Sequence, residues 1–169
     1  MSFATLDTAD SPSPESRETL QIALVGNPNS GKTTLFNALT GLRQKVGNYP
    51  GVTVEKKEGR ATLPNGQPAN LIDLPGLYSL VPHSPDEQIA REVLLGLRDD
   101  TPVPNLIINT VDASNLERNL YLTSQLMDIG LPMVIALTMS DDAESAGITI
   151  PAKELAEKIG VPVIAITAT

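Results

Sequence analysis

The chain has 169 residues, of which 41% are hydrophobic and 19% are charged, and it contains no cysteine. This composition is typical of one soluble domain, and the lack of cysteine excludes disulfides and thiolate metal sites. The net charge of −8 argues against a surface for nucleic acid or anionic lipid, and no apolar run reaches the length of a membrane-spanning helix. We expect a soluble intracellular chain, monomeric in isolation, with no nucleic-acid partner.

The first 18 residues are rich in serine, proline, threonine and acidic side chains and contain few apolar residues. Such a segment buries too little apolar surface to offset the entropy lost on ordering it. We predict that residues 1–18 form a disordered acidic tail and that residues 19–169 form one folded domain.

A glycine-rich motif lies between a predicted strand and a predicted helix. Residues 20–25 form a short apolar run, as in a buried parallel strand, and residues 34–40 predict a helix that ends at Gly41. Residues 26–33 read GNPNSGKT, which fits the phosphate-binding pattern G-x-x-x-x-G-K-[ST]. The alternative is a chance match in a turn rich in glycine and proline.

The chemistry of such a loop assigns a role to each part. Loop amides and the helix N-terminus attract phosphate, a lysine reaches the β- and γ-phosphates, and the following hydroxyl ligates Mg²⁺. Lys32 and Thr33 are the residues expected in the last two roles. The predicted nucleotide contacts in this region are Asn27, Pro28, Asn29, Ser30, Gly31, Lys32, Thr33 and Thr34.

A second metal signal follows a predicted hairpin. Residues 42–51 read as a loop, residues 52–63 as an edge strand, and an Asn-Gly pair turns the chain into an antiparallel strand at 69–73. Asp73 then begins the pattern D-x-x-G, in which the carboxylate holds Mg²⁺ through a water and the Gly76 N–H meets the γ-phosphate. Asp before Pro-Gly is also ordinary turn chemistry. Downstream of a phosphate loop, the pattern favours a GTPase over an ATPase.

A threonine between these two motifs is expected to complete the Mg²⁺ site. In GTP switches a loop threonine ligates Mg²⁺ and is released on hydrolysis. Thr53 and Thr62 are both available, and Thr53 is favoured because it lies where the loop meets the strand. Gly51 and Val52 are expected to approach the nucleotide beside it.

The remaining elements alternate between helix and strand. The pattern predicts a doubly wound α/β fold with a mostly parallel six-stranded sheet, one antiparallel strand and helices on both faces. The predicted helices are 85–98, 115–129 and 151–159, and the predicted strands are 106–112, 133–137 and 161–166.

The guanine base is expected to bind after the strand 133–137. The usual pattern there is Asn-Lys-x-Asp, whereas this chain has Thr138, Met139, Ser140 and Asp141. The Asp141 carboxylate can accept two hydrogen bonds from guanine, Thr138 offers a hydroxyl but no carboxamide, and Met139 can cover the base. We expect weakened guanine affinity, with losses of about 0.5–1.5 kcal/mol for each missing hydrogen bond. The alternative is an ordinary strand end.

The last base contact is expected from a short loop at residues 167–169. The Ala168 N–H is the predicted donor to guanine O6, with Thr167 beside it. A helix that normally follows in such folds is expected to be missing from the domain.

Two further stretches are more selective than the phosphate loop. These two stretches are VGNYPGVTVE at 46–55 and NLERNLYL at 115–122. The chain also contains GNPNSGKT at 26–33 and DLPGLYSL at 73–80. With these stretches the chain resembles the N-terminal G domain of the bacterial ferrous iron transport protein B (FeoB) family, a Ras-like P-loop NTPase. The resemblance implies a cytoplasmic GTPase domain of an inner-membrane protein, followed by a helical regulatory domain and a membrane domain that moves Fe²⁺.

The resemblance also implies a potassium ion near the phosphates, held by Asn29 and by backbone carbonyls around Gly47 and Tyr49. A cation there offsets charge on the transferred phosphoryl group; the alternative role of Asn29 is loop geometry. The expected catalytic residues are Asn29, Lys32, Thr53 and Gly76. Leu77 replaces the water-orienting glutamine of Ras-like enzymes, so intrinsic turnover is expected to be slow.

Two other functions remain open from the sequence. One is a ribosome- or tRNA-associated GTPase of the same superfamily. The other is a nucleotide-binding module with little hydrolysis.

Overall fold

A computed structural model describes residues 18–41 and 43–167 of the chain. The predicted tail, apart from Glu18, and the predicted base contact of Ala168 lie outside the described residues. Within the described part, no helix is both long and apolar enough to cross a membrane.

The described residues form one mixed sheet of seven strands in the order β2-β3-β4-β1-β5-β6-β7. β3 runs antiparallel to both of its neighbours, and the other neighbouring pairs are parallel. This confirms the predicted fold class, although the predicted number of six strands is wrong. The strands are β1 Leu20–Gly26, β2 Gln44–Asn48, β3 Glu55–Thr62, β4 Pro68–Asp73, β5 Leu106–Asp112, β6 Met133–Thr138 and β7 Val163–Ala165.

The additional strand is β2, which lies in the stretch predicted as a loop. Its sequence, QKVGN, is polar and has four exposed positions, so it lacks the alternation that marks a half-buried strand. Its order comes from antiparallel pairing with β3, in which Val46 lies opposite Lys57 and Asn48 opposite Glu55.

Helices connect the strands on both faces of the sheet. They are α1 Lys32–Thr40, α2 Pro85–Leu94, α3 Leu116–Ile129, α4 Ser140–Ser145 and α5 Ala152–Ile159, and a 3-10 turn, Ala113–Asn115, precedes α3. α2 begins as predicted, with the Ser84 side chain accepting a hydrogen bond from the Glu87 N–H at 3.2 Å. It ends at Leu94 rather than Arg98, because Gly96 adopts a left-handed conformation with φ 68°.

The core divides between the two faces because successive side chains of a strand point in opposite directions. On one face, Ala23 and Val25 of β1 pack in a buried cluster with side chains of α2 and α3. On the other, Ile22 and Leu24 pack with Phe36 of α1. Burying a valine, leucine, isoleucine or phenylalanine side chain in these clusters stabilises the fold by about 1.5–3 kcal/mol. Burial on both faces of β1 fixes the position of the loop that follows it.

Gly26 at the end of β1 has no room for a side chain. A Cβ atom there would lie 2.0 Å from Thr110 Oγ1 and 2.6 Å from Ser30 Oγ, two hydroxyl oxygens that are themselves hydrogen-bonded at 2.6 Å. Replacing Gly26 by alanine is expected to lower the free energy of unfolding in urea by about 3 kcal/mol through overpacking.

Gly47→Ala is the control, because no heavy atom lies within 4 Å of a Cβ at Gly47. Its free energy of unfolding is expected to stay within about 0.5 kcal/mol of the unsubstituted chain. Equal losses in the two variants would contradict this packing of Gly26 against β5.

Candidate nucleotide-binding site

The phosphate-loop motif forms a tight connection between β1, which ends at Gly26, and α1, which begins at Lys32. Asn29 and Gly31 adopt left-handed conformations with φ 63° and 80°. The Ser30 N–H donates to the Asn27 carbonyl at 3.2 Å, which closes the turn. The backbone at Asn29 agrees with its alternative role in loop geometry, while its exposed side chain leaves the ion role open.

Lys32 and Asp73, predicted from separate motifs, lie in contact. The Lys32 Nζ forms an ion pair with Asp73 Oδ1, and the two side chains are only 11% and 9% exposed. Parallel pairing of β1 with β4, which sets Leu24 opposite Asp73, positions the carboxylate beside the loop. Thr33 follows Lys32 in the first turn of α1 and is exposed, as is Thr34.

The D-x-x-G turn packs directly on the phosphate loop. A Cβ at Gly76 would lie 3.0 Å from Pro28 Cγ and 3.1 Å from Pro28 N, so the glycine allows a close backbone approach. The Leu77 N–H donates to the Gly26 carbonyl at 3.0 Å, and the Leu77 side chain is fully buried in the core. Gly76 therefore adjoins the loop, whereas Leu77 points away from it.

Thr138 connects the predicted base site to the phosphate loop. Its buried hydroxyl donates to the Ser30 carbonyl at 2.8 Å, and the Val111 carbonyl is a second acceptor at 3.2 Å. The sequence predicted a hydroxyl at this position in place of the usual carboxamide, and no role in the loop. The structure shows that this hydroxyl reaches the loop, so its single proton is used there and not on a base.

The other predicted base contacts follow β6 and β7. Met139 adopts a left-handed conformation with φ 56°, which turns the chain into α4. Asp141 is exposed in the first turn of that helix, and Thr167 is exposed after β7. All three lie at the carboxyl ends of strands, where ligands bind in open α/β sheets.

The two candidate threonines lie at opposite ends of β3. Lys57 pairs with Asp73 and Thr62 pairs with Pro68, the first residue of β4. Thr53, two residues before β3 begins, is therefore at the same end as Asp73, and Thr62 is at the other end. Gly51, Val52 and Thr53 are exposed in a turn closed by a 2.9 Å hydrogen bond from the Tyr49 N–H to the Val54 carbonyl.

Tyr49 is a core residue, which the sequence did not predict. It is 1% exposed, and it packs in the cluster that contains side chains of α2. The cationic groups of Lys56 and Arg98 lie 5.6 and 5.2 Å from its ring centroid. Burial, reinforced by the Glu58 carboxylate, raises the pKa of its phenol. Polar neighbours in the sequence gave no signal of this burial.

The carbonyls proposed for potassium take part in local backbone pairing. Gly47 lies in β2 opposite Lys56, and the Tyr49 carbonyl accepts a 3.2 Å hydrogen bond from the Val52 N–H. A carbonyl oxygen has a second lone pair, so the Tyr49 carbonyl retains capacity for a cation.

The oxygen donors near the loop suit a hard cation better than a transition metal. Among residues 18–41 and 43–167, no group of three or more His, Cys, Asp or Glu side chains is placed to hold a metal. One carboxylate with hydroxyls, phosphate oxygens and water is the usual donor set for Mg²⁺. Asp73, Thr33 and Thr53 have side chains of these donor types and lie at one end of the sheet.

A cavity of about 580 Å³ lies along β2, β3 and β4, with Gln21, Asn70 and Pro104 among its lining residues. It contains none of the predicted nucleotide contacts. Cavity volume alone therefore does not identify the candidate nucleotide site, which is identified by the phosphate loop.

Comparison with known proteins agrees with this arrangement. A profile of the family described as "Ferrous iron transport protein B" matches residues 20–169. The Fe(2+) transporter FeoB of Shigella flexneri is 53% identical over 154 residues, which are 89% of this chain and 19% of that protein. The chain belongs to the ferrous iron transport protein B family. It spans about a fifth of the length of the curated FeoB relatives that it matches.

Solved FeoB structures have the same fold. The cytosolic domain of L. pneumophila FeoB superimposes with a TM-score of 0.79 at 52% identity, covering 87% of this chain and 60% of that one. The GDP-bound A143S mutant of the S. thermophilus FeoB G-domain superimposes with a TM-score of 0.79 at 50% identity, covering 88% of this chain and 55% of that one.

Proposed function

We propose that this chain is the GTP-binding and GTP-hydrolysing switch domain of a bacterial ferrous iron transporter. The observation that carries the proposal is the contact between Lys32 and Asp73 beside a glycine loop whose far side is bound by Thr138. These contacts bring together, at one end of the sheet, the residues proposed to bind the phosphates, the metal and the base. The GDP-bound FeoB relative supports guanine as the base.

The phosphate and metal roles follow from residue chemistry. Lys32 and the loop amides bind the phosphates, and the Gly76 N–H meets the γ-phosphate. Thr33, Thr53 and Asp73 would hold Mg²⁺, directly or through water, and the ion neutralises charge on the phosphates. Because Lys32 and Asp73 are in contact, a metal-bound nucleotide would exchange a lysine–carboxylate pair for a lysine–phosphate and a carboxylate–metal pair.

The base roles fall to Asp141, Met139, Thr138 and the backbone near Thr167. Asp141 is exposed and free to accept the guanine N1–H and N2–H. Because the Thr138 hydroxyl donates to Ser30 and Val111, it supports the loop rather than the base. We therefore propose that guanine is recognised mainly by Asp141 and bound weakly.

Slow hydrolysis is part of the proposal. Leu77 is buried away from the loop, so no side chain at that position orients the attacking water. This observation also favours the second candidate, a nucleotide-binding module with little hydrolysis. Single-turnover hydrolysis with Mg²⁺ and saturating GTP separates the two, because phosphate release no faster than in buffer would exclude the enzyme.

A potassium ion held by Asn29, Gly47 and Tyr49 is proposed to stimulate the reaction, and two variants of Asn29 test it. Asn29→Ala removes the side chain but strains the left-handed backbone by about 1 kcal/mol, whereas Asn29→Gly removes it without strain. If the side chain binds the ion, both variants are expected to lose the difference in turnover between potassium and sodium buffers.

If Asn29 acts only through loop geometry, the two variants should differ. Asn29→Gly would then keep the potassium response while Asn29→Ala would lose activity in both buffers. That outcome would remove Asn29 from the ion site.

We also propose that the domain lies on the cytoplasmic side of the inner membrane, and that a helical regulatory domain and a membrane domain follow it in the parent protein. One face of β5, β6 and β7 supports a further covering element. Ile164 is 59% exposed there and pairs with Ala136, on the same face of the sheet as the half-buried Ile108 and Val134, which pair with each other. A following amphipathic helix would bury these side chains.

A further inference from the structure

The Asn27 side chain is enclosed beside the phosphate loop. Asn27 is 4% exposed, and neither its Nδ2 nor its Oδ1 atom has a hydrogen-bond partner among the residues that the structure describes. Buried polar atoms in folded proteins almost always have a partner, either protein or ordered water. Asn27 therefore indicates a ligand that the chain does not itself supply.

Asn27 is one of the residues that line a small pocket between the loop, the end of β5 and the start of α3. The volume of this pocket is about 40 Å³, which holds roughly one or two water molecules. Ser30, Asp112 and Asn119 form polar walls. The size and polarity of the pocket exclude an organic ligand.

Hydrogen-bond complementarity identifies the ligand. Asn27 presents an unpaired donor, Nδ2, and an unpaired acceptor, Oδ1. A cation cannot accept from the donor, and a fully ionised anion cannot donate to the acceptor, whereas water does both. The charged side chains that line the pocket, Asp112 and Arg118, are one of each sign, so no net charge favours an ion.

We propose that Asn27 holds an internal water that bridges the phosphate loop to the junction of β5 and α3. The Asn27 carbonyl accepts the Ser30 N–H that closes the loop. On the other wall, the Asn119 Oδ1 accepts a hydrogen bond from the Asp112 N–H at 3.2 Å. The water joins these two hydrogen-bonded units, which makes Asn27 a positioning residue for the loop. The positioning role of Asn27, unlike the water site itself, rests on the proposed nucleotide function.

Residues that follow the D-x-x-G turn partly cover the pocket. Tyr78, two residues after Gly76, lines the pocket with Arg118, whose guanidinium lies 4.2 Å from the Tyr78 ring centroid. The Leu80 N–H donates to Gln125 Oε1 of α3 at 2.6 Å, which holds the same loop against the helix. This cover is expected to slow exchange of the water with solvent.

Asn27→Ala and Asn27→Ser form a matched pair, because serine is nearly as small as alanine but keeps a donor and an acceptor. Oxygen-17 relaxation dispersion of the solvent counts the long-lived waters in the full chain, and stopped-flow measures GDP dissociation. Asn27→Ala is expected to lose long-lived water and to release GDP about 5-fold faster, as for one lost hydrogen-bonded bridge. Asn27→Ser is expected to keep the water and to recover most of the slow dissociation.

Tyr78→Phe tests whether the Tyr78 hydroxyl, rather than water, is the partner of Asn27; water count and dissociation are expected to stay unchanged. An unchanged water count in Asn27→Ala overturns the water site, whether or not GDP binds. Loss of water with unchanged GDP dissociation overturns the positioning role. Absence of GDP binding to the unsubstituted chain refutes the proposed function, and the water count then decides this inference alone.

Discussion

Replacing Lys32 by alanine is expected to weaken binding of a non-hydrolysable GTP analogue by about 1,000-fold, since two charge-assisted hydrogen bonds are each worth about 1.5–3 kcal/mol. Lys32 is the first residue of α1, and its amino group contacts Asp73. Its removal takes away the phosphate contacts and leaves a nearly buried carboxylate without its partner. Calorimetric titration of the folded variant in the presence of Mg²⁺ measures the loss.

Lys56→Ala is the matched control. Lys56 is also a largely buried lysine in an ion pair, with Glu58 at 3.2 Å, and its side chain is 15% exposed against 11% for Lys32. The two variants are expected to lose similar free energy of unfolding, but only Lys32→Ala should lose the nucleotide. Analogue binding by Lys32→Ala within threefold of the unsubstituted chain would contradict the phosphate role of Lys32.

Replacing Asp141 by asparagine is expected to weaken GDP binding by about 100-fold, because two hydrogen bonds from guanine to a charged acceptor are lost or reversed. The same variant should bind xanthosine diphosphate better than GDP. Xanthine has a carbonyl where guanine has its exocyclic amine, so it accepts the new amide donor. Competition between the two nucleotides on the variant measures the change of preference.

Asp142→Asn controls for the loss of one negative charge in the same helical turn. Asp142 is the next residue in α4 and is also exposed. Its preference for GDP over xanthosine diphosphate is expected to stay that of the unsubstituted chain. An unchanged preference in Asp141→Asn would show that another residue recognises the base.

The part of the fold that the sequence predicted depends on strong local signals. The apolar run before Gly26, the helix start at Pro85 and the Asn-Gly turn of the hairpin each have one favourable local conformation, and the structure contains all three. The parallel order of the strands followed from their alternation with helices. The sequence alone therefore placed Asp73 and Lys32 at the same end of the sheet, where the structure shows them in contact.

The features that the sequence missed depend on tertiary partners. β2 is ordered by pairing with β3 rather than by an apolar pattern, so Gln44–Asn48 resembled a loop. Tyr49 stands in a polar stretch, yet it is buried because α2 and the sheet enclose it. The hydrogen bond from Thr138 to the Ser30 carbonyl depends on a loop 108 residues earlier in the chain, so threonine in place of the usual asparagine could be interpreted from the sequence only as a lost base contact.

Titration of the Mg²⁺-loaded chain with GDP and, separately, with ADP in potassium buffer tests the central claim most directly. The site geometry predicts measurable heat from GDP and none from ADP, because Asp141 can accept hydrogen bonds from guanine N1–H and N2–H, whereas adenine has no N–H group at either of these positions. Equal affinity for both nucleotides would contradict the assignment of Asp141 to the base. Absence of binding by both would contradict the nucleotide site itself.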